Sequence, residues 1–277
     1  VLNQEKLWAL KSRVNWMIQG DYNTNFYHVL TLIRRKRNQI MAIKNAVGDW
    51  IHEEGEIKDF IRCGFEWVFL SSFSCVPRMD PTISQWQFRL SDSKKESISG
   101  GAFEVEIKAA LWSLKPFKTP GPDGLHAGFF QKFWYTVGNS VIEEVQKIFA
   151  GRRVPKVLNC THIAMIPKIQ GPETLGNYRP ISLCNTMYKV ITKIIVARLW
   201  PYLDKLISPM QTTFVPRRKG IDNIIIAQEI IHGLGKKKRR TGYMALKIDL
   251  EKAYDKLEWS FIRDMLIRVN LPLDIID

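Results

Sequence analysis

Apolar positions along the chain follow two spacings, and the helical spacing is the commoner one. Apolar residues recur three and four positions apart in 54–69, 103–114, 127–149, 185–200, 221–234 and 252–269, which predicts helices there. Residues 1–47 show a similar pattern, broken at Gly20 and Asp21. Two short runs, 161–166 and 244–249, have the apolar content or alternation of strands. The pattern predicts an α+β, helix-rich fold with few strands.

Proline, glycine and serine mark the segments between these elements. Lys115–Leu125 contains three prolines and two glycines, which predicts a stiff loop. Pro167, Gly171 and Pro172 predict a second loop, which we extend to Leu183. Residues 71–101 are rich in Ser, Pro and charge and predict a linker. We therefore expect two regions, a helical and basic one over 1–100 with the linker at its end, and another over 101–277.

The charge balance indicates a polyanionic partner. The chain has 41 Lys and Arg against 27 Asp and Glu, a net charge of +14, and nucleic acid is the first explanation for such an excess. The basic runs 34–37, 217–219 and 236–240 are suited to following a phosphate backbone. The run 236–240 also fits a nuclear localisation signal, and a solvated hairpin tip is its simplest interpretation.

Cysteine usage and hydropathy point to the inside of the cell. The four cysteines are widely spaced and form no Cys-x-x-Cys pair, so we expect reduced and mostly buried thiols. No apolar run approaches the roughly 20 residues that span a bilayer, and no signal peptide is visible. The sequence predicts a protein of the nucleus, the cytoplasm or both, neither secreted nor membrane-embedded.

The predicted strand near residue 249 carries the most informative carboxylate. Met244, Leu246 and Ile248 share one face, while Asp249 lies on the other face at the strand end. Carboxylates in such a position can hold metal ions against a phosphate. By itself, however, Asp249 is better explained as a turn residue or the N-cap of the following helix, because Asp is common at such junctions.

The wider pattern around Asp249 closely resembles the reverse transcriptases of non-LTR (LINE-type) retrotransposons, with wording nearest to plant elements. Lys247–Asp255, followed by Trp259, resembles the first catalytic block of that family. Three further blocks occur in family order, namely the loop 118–125, the segment 163–189 with Tyr-Arg-Pro-Ile-Ser-Leu, and 211–223. Residues 8–40 resemble the segment that precedes the polymerase in those elements.

The resemblance implies right-hand polymerase fingers over 101–240 and an incomplete palm over 241–277. The implied activity is RNA-directed DNA polymerisation, in which deoxynucleoside triphosphates are added to a DNA primer on an RNA template with two magnesium ions. The Ala-Asp-Asp block that supplies the other metal ligands in the family does not occur in this sequence. We therefore expect a fragment that is inactive alone.

The resemblance also assigns roles to individual residues. Asp249 is the implied catalytic and metal-binding residue. Lys168 and Arg179 are implied to contact the triphosphate, and Tyr254 to screen the sugar 2′ position. The implied nucleic-acid contacts are Gln211, Phe214, Arg218, Lys236, Lys237, Lys238, Arg239 and Arg240. Without the resemblance, Lys168 and Arg179 are ordinary surface charges and Tyr254 is a core aromatic.

One departure from the family and two further hypotheses stay open. The family usually has Gly-Arg after the proline at 216, whereas this chain has Arg217 and Arg218, so we expect an altered loop. The alternative to a polymerase fragment is a non-enzymatic RNA- or DNA-binding remnant of a decayed or domesticated element. A product without function is the third hypothesis.

Overall fold

The described part of the chain is helix-rich and contains two small sheets. In the computed structural model, the described residues are 29, 31–33, 35, 36, 38–70, 89–151, 153–212, 215–236, 244, 246 and 257–276. Each sheet has two antiparallel strands, a content compatible with the predicted α+β class. Over these ranges, no helix combines the length and apolar character needed to cross a membrane.

The elements alternate between helical stretches and the two hairpins. The α-helices are α1 (Glu54–Phe69), α2 (Asp92–Ser99), α3 (Glu104–Trp112), α4 (Ala127–Lys132), α5 (Trp134–Phe149), α6 (Lys156–Asn159), α7 (Thr186–Leu199), α8 (Leu203–Leu206), α9 (Gly220–Lys236), α10 (Trp259–Arg268) and α11 (Leu273–Ile276). The strands are β1 (Ile43–Lys44), β2 (Trp50–Ile51), β3 (Thr161–Pro167) and β4 (Tyr178–Cys184). Single 3₁₀ turns occupy Leu175–Asn177 and Trp200–Tyr202.

Several predicted elements are confirmed. The helix predicted over 54–69 is α1, with the same bounds, and the strand predicted over 161–166 is β3. The helices predicted over 185–200 and 221–234 correspond to α7 and α9. These segments have local, periodic signals, which sequence patterns report directly.

Two segments predicted to be irregular contain regular structure. Helix α2 lies within the predicted linker, and Ile98 on it is buried with Leu90 and Leu271. Strand β4 lies within the predicted second loop, where it pairs with β3 along its whole length. Both elements are stabilised by contacts with residues distant in sequence, which override local composition.

Two predicted helices are also incorrect in part. The helical prediction for 1–47 is wrong at its end, because Ile43–Lys44 is the first strand of the β1–β2 hairpin. Its turn is fixed by the Asn45 side-chain oxygen, which accepts from the N–H groups of Val47 and Asp49, and by Gly48 at φ 102°. The single helix predicted over 127–149 is two helices, α4 and α5, separated at Phe133.

The chain divides into two compact units that each combine several segments. Unit 1 comprises Val1–Trp67, Trp112–Val137 and Pro155–Tyr188. Among its described residues, Ile43, Ile57 and Tyr178 form a buried cluster, with partly buried side chains packed around it. The boundary that we expect at residue 100 separates sequence motifs, and it stays a prediction.

Unit 2 comprises Val68–Leu111, Gly138–Val154 and Lys189–Asp277. Its described cluster of Leu90, Ile98 and Leu271 is covered by side chains from α10 and α11 and from the segment around Tyr202. The N–H of Leu90 donates to the carbonyl of Val269, and this hydrogen bond joins the first and the last of the three segments of unit 2.

The cysteines differ in part from expectation. Cys63, Cys160 and Cys184 are free thiols, as predicted. Cys63 and Cys160 are exposed and Cys184 is half-buried, so the expected burial is wrong for these three. Cys75 lies outside the described residues.

Candidate nucleotide and nucleic-acid interface

The β3–β4 hairpin brings two of the predicted site residues to one face. Arg179 lies directly opposite Ile166 in the antiparallel register. The N–H of Lys168 donates to the carbonyl of Asn177 over 2.7 Å, so the ladder continues past the end of β3. Because alternate residues of a strand share a face, Lys168 lies on the same face as Ile166 and Arg179. Lys168, Ile166 and Arg179 are all exposed there.

The opposite face of the hairpin is turned toward the core of unit 1. Tyr178 is buried in the cluster with Ile43 and Ile57, and Met165 packs against the same cluster. Burial raises the pKa of the Tyr178 hydroxyl. One face is therefore anchored by apolar contacts while the other presents two cations to solvent.

The turn between the strands is held by a small polar network. The Asn177 side-chain oxygen accepts from the N–H groups of Glu173 and Thr174 at 3.2 and 3.0 Å. Lys44 pairs with Glu173 at 2.5 Å, which ties the β1–β2 hairpin to this turn. The ammonium of Lys168 donates to the carbonyl of Gly176 over 2.9 Å. This contact places the ammonium beside the turn that joins β3 and β4.

The predicted Pro- and Gly-rich loop is pinned to the start of α7. Asn185, buried to 1% exposure, accepts from the N–H of Asp123 and donates to the carbonyl of Val157 over 2.9 Å. The Thr186 hydroxyl donates to the carbonyl of Leu125 over 2.7 Å. A Cβ on Gly121 would lie 2.3 Å from the Asn185 side-chain oxygen, so the loop requires glycine there. Asn185 thereby joins three chain segments next to the end of β4.

The loop that holds Gln211 and Arg218 is organised by Arg218 itself. Its guanidinium donates to the carbonyls of Ser208, Gln211, Asp204 and Ile207 at 2.5–3.0 Å. The Nε atom lies 3.4 Å from Oδ1 of Asp204. Both terminal nitrogens are thus engaged by backbone oxygens. The side chain of Gln211 is exposed at the surface of the same loop.

Arg217 has a left-handed backbone conformation, which glycine adopts more readily than other residues. Its φ is 63°, in the left-handed region that L-residues with a Cβ avoid. We expect an altered loop at this position because arginine adopts the left-handed backbone conformation less readily than the glycine that the family usually has. The described loop adopts the left-handed geometry at position 217, and the strain falls on Arg217.

The remaining predicted residues are only partly described. Lys236 is the last residue of α9. Asp249, Tyr254, Phe214, Lys237, Lys238, Arg239 and Arg240 lie outside the described residues. Within the described ranges, no group of three or more His, Cys, Asp or Glu side chains is placed to hold a metal ion. The predicted magnesium site therefore stays a prediction centred on Asp249.

Comparison with protein families gives a match in the second half of the chain. Residues 166–276 match the model of the family described as reverse transcriptase (RNA-dependent DNA polymerase). The matched range begins within β3 and includes Lys168, Arg179, Gln211 and Arg218. It also includes Asp249 and Tyr254. Divalent metal ions are general to this family.

The chain is similar to three curated proteins of mobile elements. It is 28% identical over 261 residues, or 91% of the chain, to the transposon TX1 uncharacterized 149 kDa protein of Xenopus laevis. The Pol polyprotein of the type-1 element R2 of Bradysia coprophila is 26% identical over 62% of the chain. The Pol polyprotein of the type-2 element R2DM of Drosophila melanogaster is 24% identical over 67% of the chain. The chain spans 17–19% of the length of these relatives.

Asn185 and Arg198 are important residues to which sequence patterns assign no role. An amide between a strand and a helix is a weak signal, because such residues commonly serve as caps or turns. Arg198 lies in the last turn of α7, where a basic residue is ordinary. Its burial and its partners become apparent only in three dimensions.

Proposed function

We propose, on the premise that the chain contains part of the reverse transcriptase domain of a non-LTR retrotransposon, that its protein copies RNA into DNA. In this proposal, deoxynucleoside triphosphates are added to a DNA primer annealed to an RNA template. Residues 101–240 form the fingers and residues 241–277 begin the palm. The protein acts in the nucleus, the cytoplasm or both.

The observation that carries this proposal is the shared open face of Lys168 and Arg179. A triphosphate concentrates negative charge, and catalysis of its transfer consists largely of positioning and of cations that offset that charge. Arg179 offers a planar fork for two phosphate oxygens, and Lys168 offers a compact point charge. Both residues lie on the exposed face of one hairpin, whose other face is anchored in the core of unit 1.

We assign the chemistry of the transferred phosphoryl group to the region around Asp249. The Asp249 carboxylate would hold magnesium, and the ions would offset charge on the attacking and leaving oxygens. Tyr254 would limit the space beside the sugar 2′ position, which favours deoxynucleotides. These two assignments rest on the family match over 166–276 and on the position of each residue in the family's catalytic block.

We assign template contacts to the loop after α8 and to the basic run at the end of α9. Gln211 and Phe214 would contact the template or the nucleotide pocket directly. Arg218 would act by shaping the loop, because its guanidinium is committed to backbone carbonyls. Lys236, Lys237, Lys238, Arg239 and Arg240 would follow the phosphate backbone.

Binding of a fluorescent deoxyadenosine triphosphate to the whole chain tests the proposal. The double variant Lys168→Ala, Arg179→Ala should bind at least about tenfold more weakly, because each charge-assisted contact to phosphate contributes about 1.5–3 kcal/mol. The matched control is Lys193→Ala, Arg268→Ala, which removes one exposed lysine and one exposed arginine from unit 2. The control should bind as the parent chain does.

The phosphate dependence separates a specific site from general charge attraction. Deoxyadenosine, which lacks phosphates, should not compete with the fluorescent triphosphate, whereas unlabelled deoxyadenosine triphosphate should. Equal losses in the two double variants would mean that net charge alone holds the nucleotide, and the proposed site would then be incorrect.

A further inference from the structure

A cluster of exposed aromatic side chains surrounds helix α4 in unit 1. Phe117 is 67% exposed, Phe133 45% and Tyr135 is fully exposed. Phe129 is 37% exposed, and its ring centroid lies 5.3 Å from that of Phe133. Phe130, the next residue on α4, is buried, and its ring centroid lies 5.4 Å from that of Phe129. Phe129 therefore borders the core through Phe130, while Phe117, Phe133 and Tyr135 are more exposed.

Backbone contacts bring Phe117 beside these helical aromatics. The N–H of Gly128 donates to the carbonyl of Pro116 over 2.9 Å. A Cβ on Gly128 would lie 3.0 Å from Pro116, so the loop approaches the helix closely because this residue is glycine. The His126 ring contacts the carbonyl of Lys118 over 2.8 Å. The chain on both sides of Phe117 thus lies against the first turn of α4.

The charge around these rings is positive. The segment Trp112–Val137 contains three lysines and one acidic residue, Asp123. Lys132 holds its ammonium 5.6 Å from the centroid of the Phe133 ring. Lys118 is exposed directly beside Phe117. A lysine therefore accompanies an aromatic residue both in the loop before α4 and at the end of α4.

We propose that this aromatic surface, defined as Phe117, Phe129, Phe133 and Tyr135 with Lys118 and Lys132, binds single-stranded nucleic acid by base stacking. Rings interleaved with cations suit a single strand, since each base has a face to stack and each phosphate needs a cation. The chain's net charge of +14 favours the same partner. The surface is separate in sequence from Lys168 and Arg179, and the proposal does not depend on triphosphate binding there.

A protein partner is the competing occupant of an exposed apolar surface. The charge pattern decides between them, because protein interfaces are depleted in lysine whereas nucleic-acid surfaces require cations. Tyrosine and phenylalanine also offer flat faces, which aliphatic docking grooves do not provide.

Fluorescence anisotropy with an oligouridine of about 20 nucleotides, longer than the roughly 4–16 nucleotides of common single-strand sites, tests the proposal. The triple variant Phe117→Ala, Phe133→Ala, Tyr135→Ala should bind at least about tenfold more weakly, because each lost ring removes one stacking contact. The variant Phe117→Tyr, Phe133→Tyr, Tyr135→Phe keeps three rings and should bind as the parent chain does.

Phe103→Ala provides a matched control, since Phe103 is 71% exposed and lies in unit 2. It should leave oligouridine binding unchanged. Duplex RNA should bind the parent chain and the triple variant equally, because paired bases cannot stack on the rings. Circular dichroism melting should give the same transition for the parent and the triple variant.

Three results would overturn the proposal. Unchanged oligouridine affinity in the triple variant excludes a stacking role. Equal losses of single-strand and duplex binding would mean that the rings act only through fold or charge. A changed oligomeric state by light scattering, with RNA affinity intact, would make the surface an interface between copies of the chain. Loss of triphosphate binding in the Lys168 and Arg179 double variant, with oligouridine binding retained, separates the two proposals.

Discussion

At the residue scale, two neighbouring arginines in one loop have opposite effects on stability. Arg218 satisfies four backbone carbonyls of its own loop and stabilises it. Arg217 holds a left-handed backbone, at φ 63°, that costs a residue with a Cβ about 1–2 kcal/mol relative to glycine. The resemblance to a family that usually has glycine there identifies the position, and the described backbone has a positive φ at it.

Replacing Arg217 by glycine should stabilise the chain. We expect a gain of about 0.5–1 kcal/mol in the free energy of unfolding, because the relieved strain exceeds the added entropy of the unfolded chain. Urea denaturation followed by circular dichroism measures it. Arg217→Ala keeps the Cβ and should leave stability nearly unchanged. Destabilisation by the glycine variant would show that the Arg217 side chain makes a contact that outweighs the strain.

At the element scale, the periodicity of apolar residues predicts several helices well, but it does not predict which strands pair. Helix α1 follows from its own periodicity, with bounds that agree at both ends. Strand β4 contains a proline, Pro180, and follows a Gly- and Pro-rich segment, so its sequence indicates a loop. It forms because β3 supplies the hydrogen bonds and Tyr178 is buried in a cluster with distant residues. The sequence of residues 178–184 alone does not contain these contacts, because they come from other parts of the chain.

Arg198 joins α7 to the start of α3 within unit 2. Its side chain is 7% exposed, and it pairs with Glu106 at 2.8 Å. It also donates to the carbonyls of Ile98 and Gly101 and lies 5.0 Å from the ring centroid of Phe149. The hydrogen bond from Arg198 holds the pKa of Glu106 below its ordinary value near 4.5.

This pair should make stability depend on pH in the acidic range. Because the pKa of Glu106 is lowered in the folded state, its contribution is complete above about pH 4.5 and is lost as pH falls through the folded-state pKa. Glu106→Gln should therefore flatten the fall in melting temperature below that pH. Arg198→Ala should cost about 1–3 kcal/mol at pH 7, since it removes the donor to the carbonyl of buried Ile98 and the partner of the Glu106 carboxylate. An unchanged pH profile in Glu106→Gln would contradict this account.

The sequence predicts only those residues of the candidate site to which the family resemblance assigns a role. The resemblance selects Lys168 and Arg179, and the hairpin register explains why two residues eleven positions apart share one face. Periodicity alone does not select them, because exposed Lys and Arg are common. Asn185 lies within the segment 163–189 that resembles the family, but the resemblance assigns it no role. Its three-segment contacts arise from the close approach permitted by Gly121.

At the scale of the whole molecule, the chain exposes apolar surface that a closed domain would bury. Helix α9 has six isoleucines that are 47–65% exposed, namely Ile221, Ile224, Ile225, Ile226, Ile230 and Ile231. Contiguous apolar patches of this kind mark contacts with further structure or aggregation-prone surface. This exposure agrees with a chain that spans 17–19% of the length of its relatives.

The whole chain should not extend a primer on its own. Two-metal phosphoryl transfer needs several carboxylates, and Asp249 is the one metal ligand that the resemblance assigns within these residues. Purified chain incubated with a primed RNA template, magnesium and deoxynucleotides should incorporate nothing above background. Incorporation that disappears in Asp249→Asn would contradict this expectation. Nucleic-acid binding without incorporation is also what the alternative hypothesis of a non-enzymatic remnant predicts.

The most direct test of the central claim, that the β3–β4 hairpin holds the triphosphate, is covalent labelling of the whole chain. An acyl-phosphate derivative of deoxyadenosine triphosphate transfers its acyl group to a lysine amine near the phosphates and releases the nucleotide. Mass spectrometry should find the label on Lys168, with protection by excess deoxyadenosine triphosphate and none by deoxyadenosine. Labelling spread over exposed lysines such as Lys193, with Lys168 unprotected by the triphosphate, would contradict the claim.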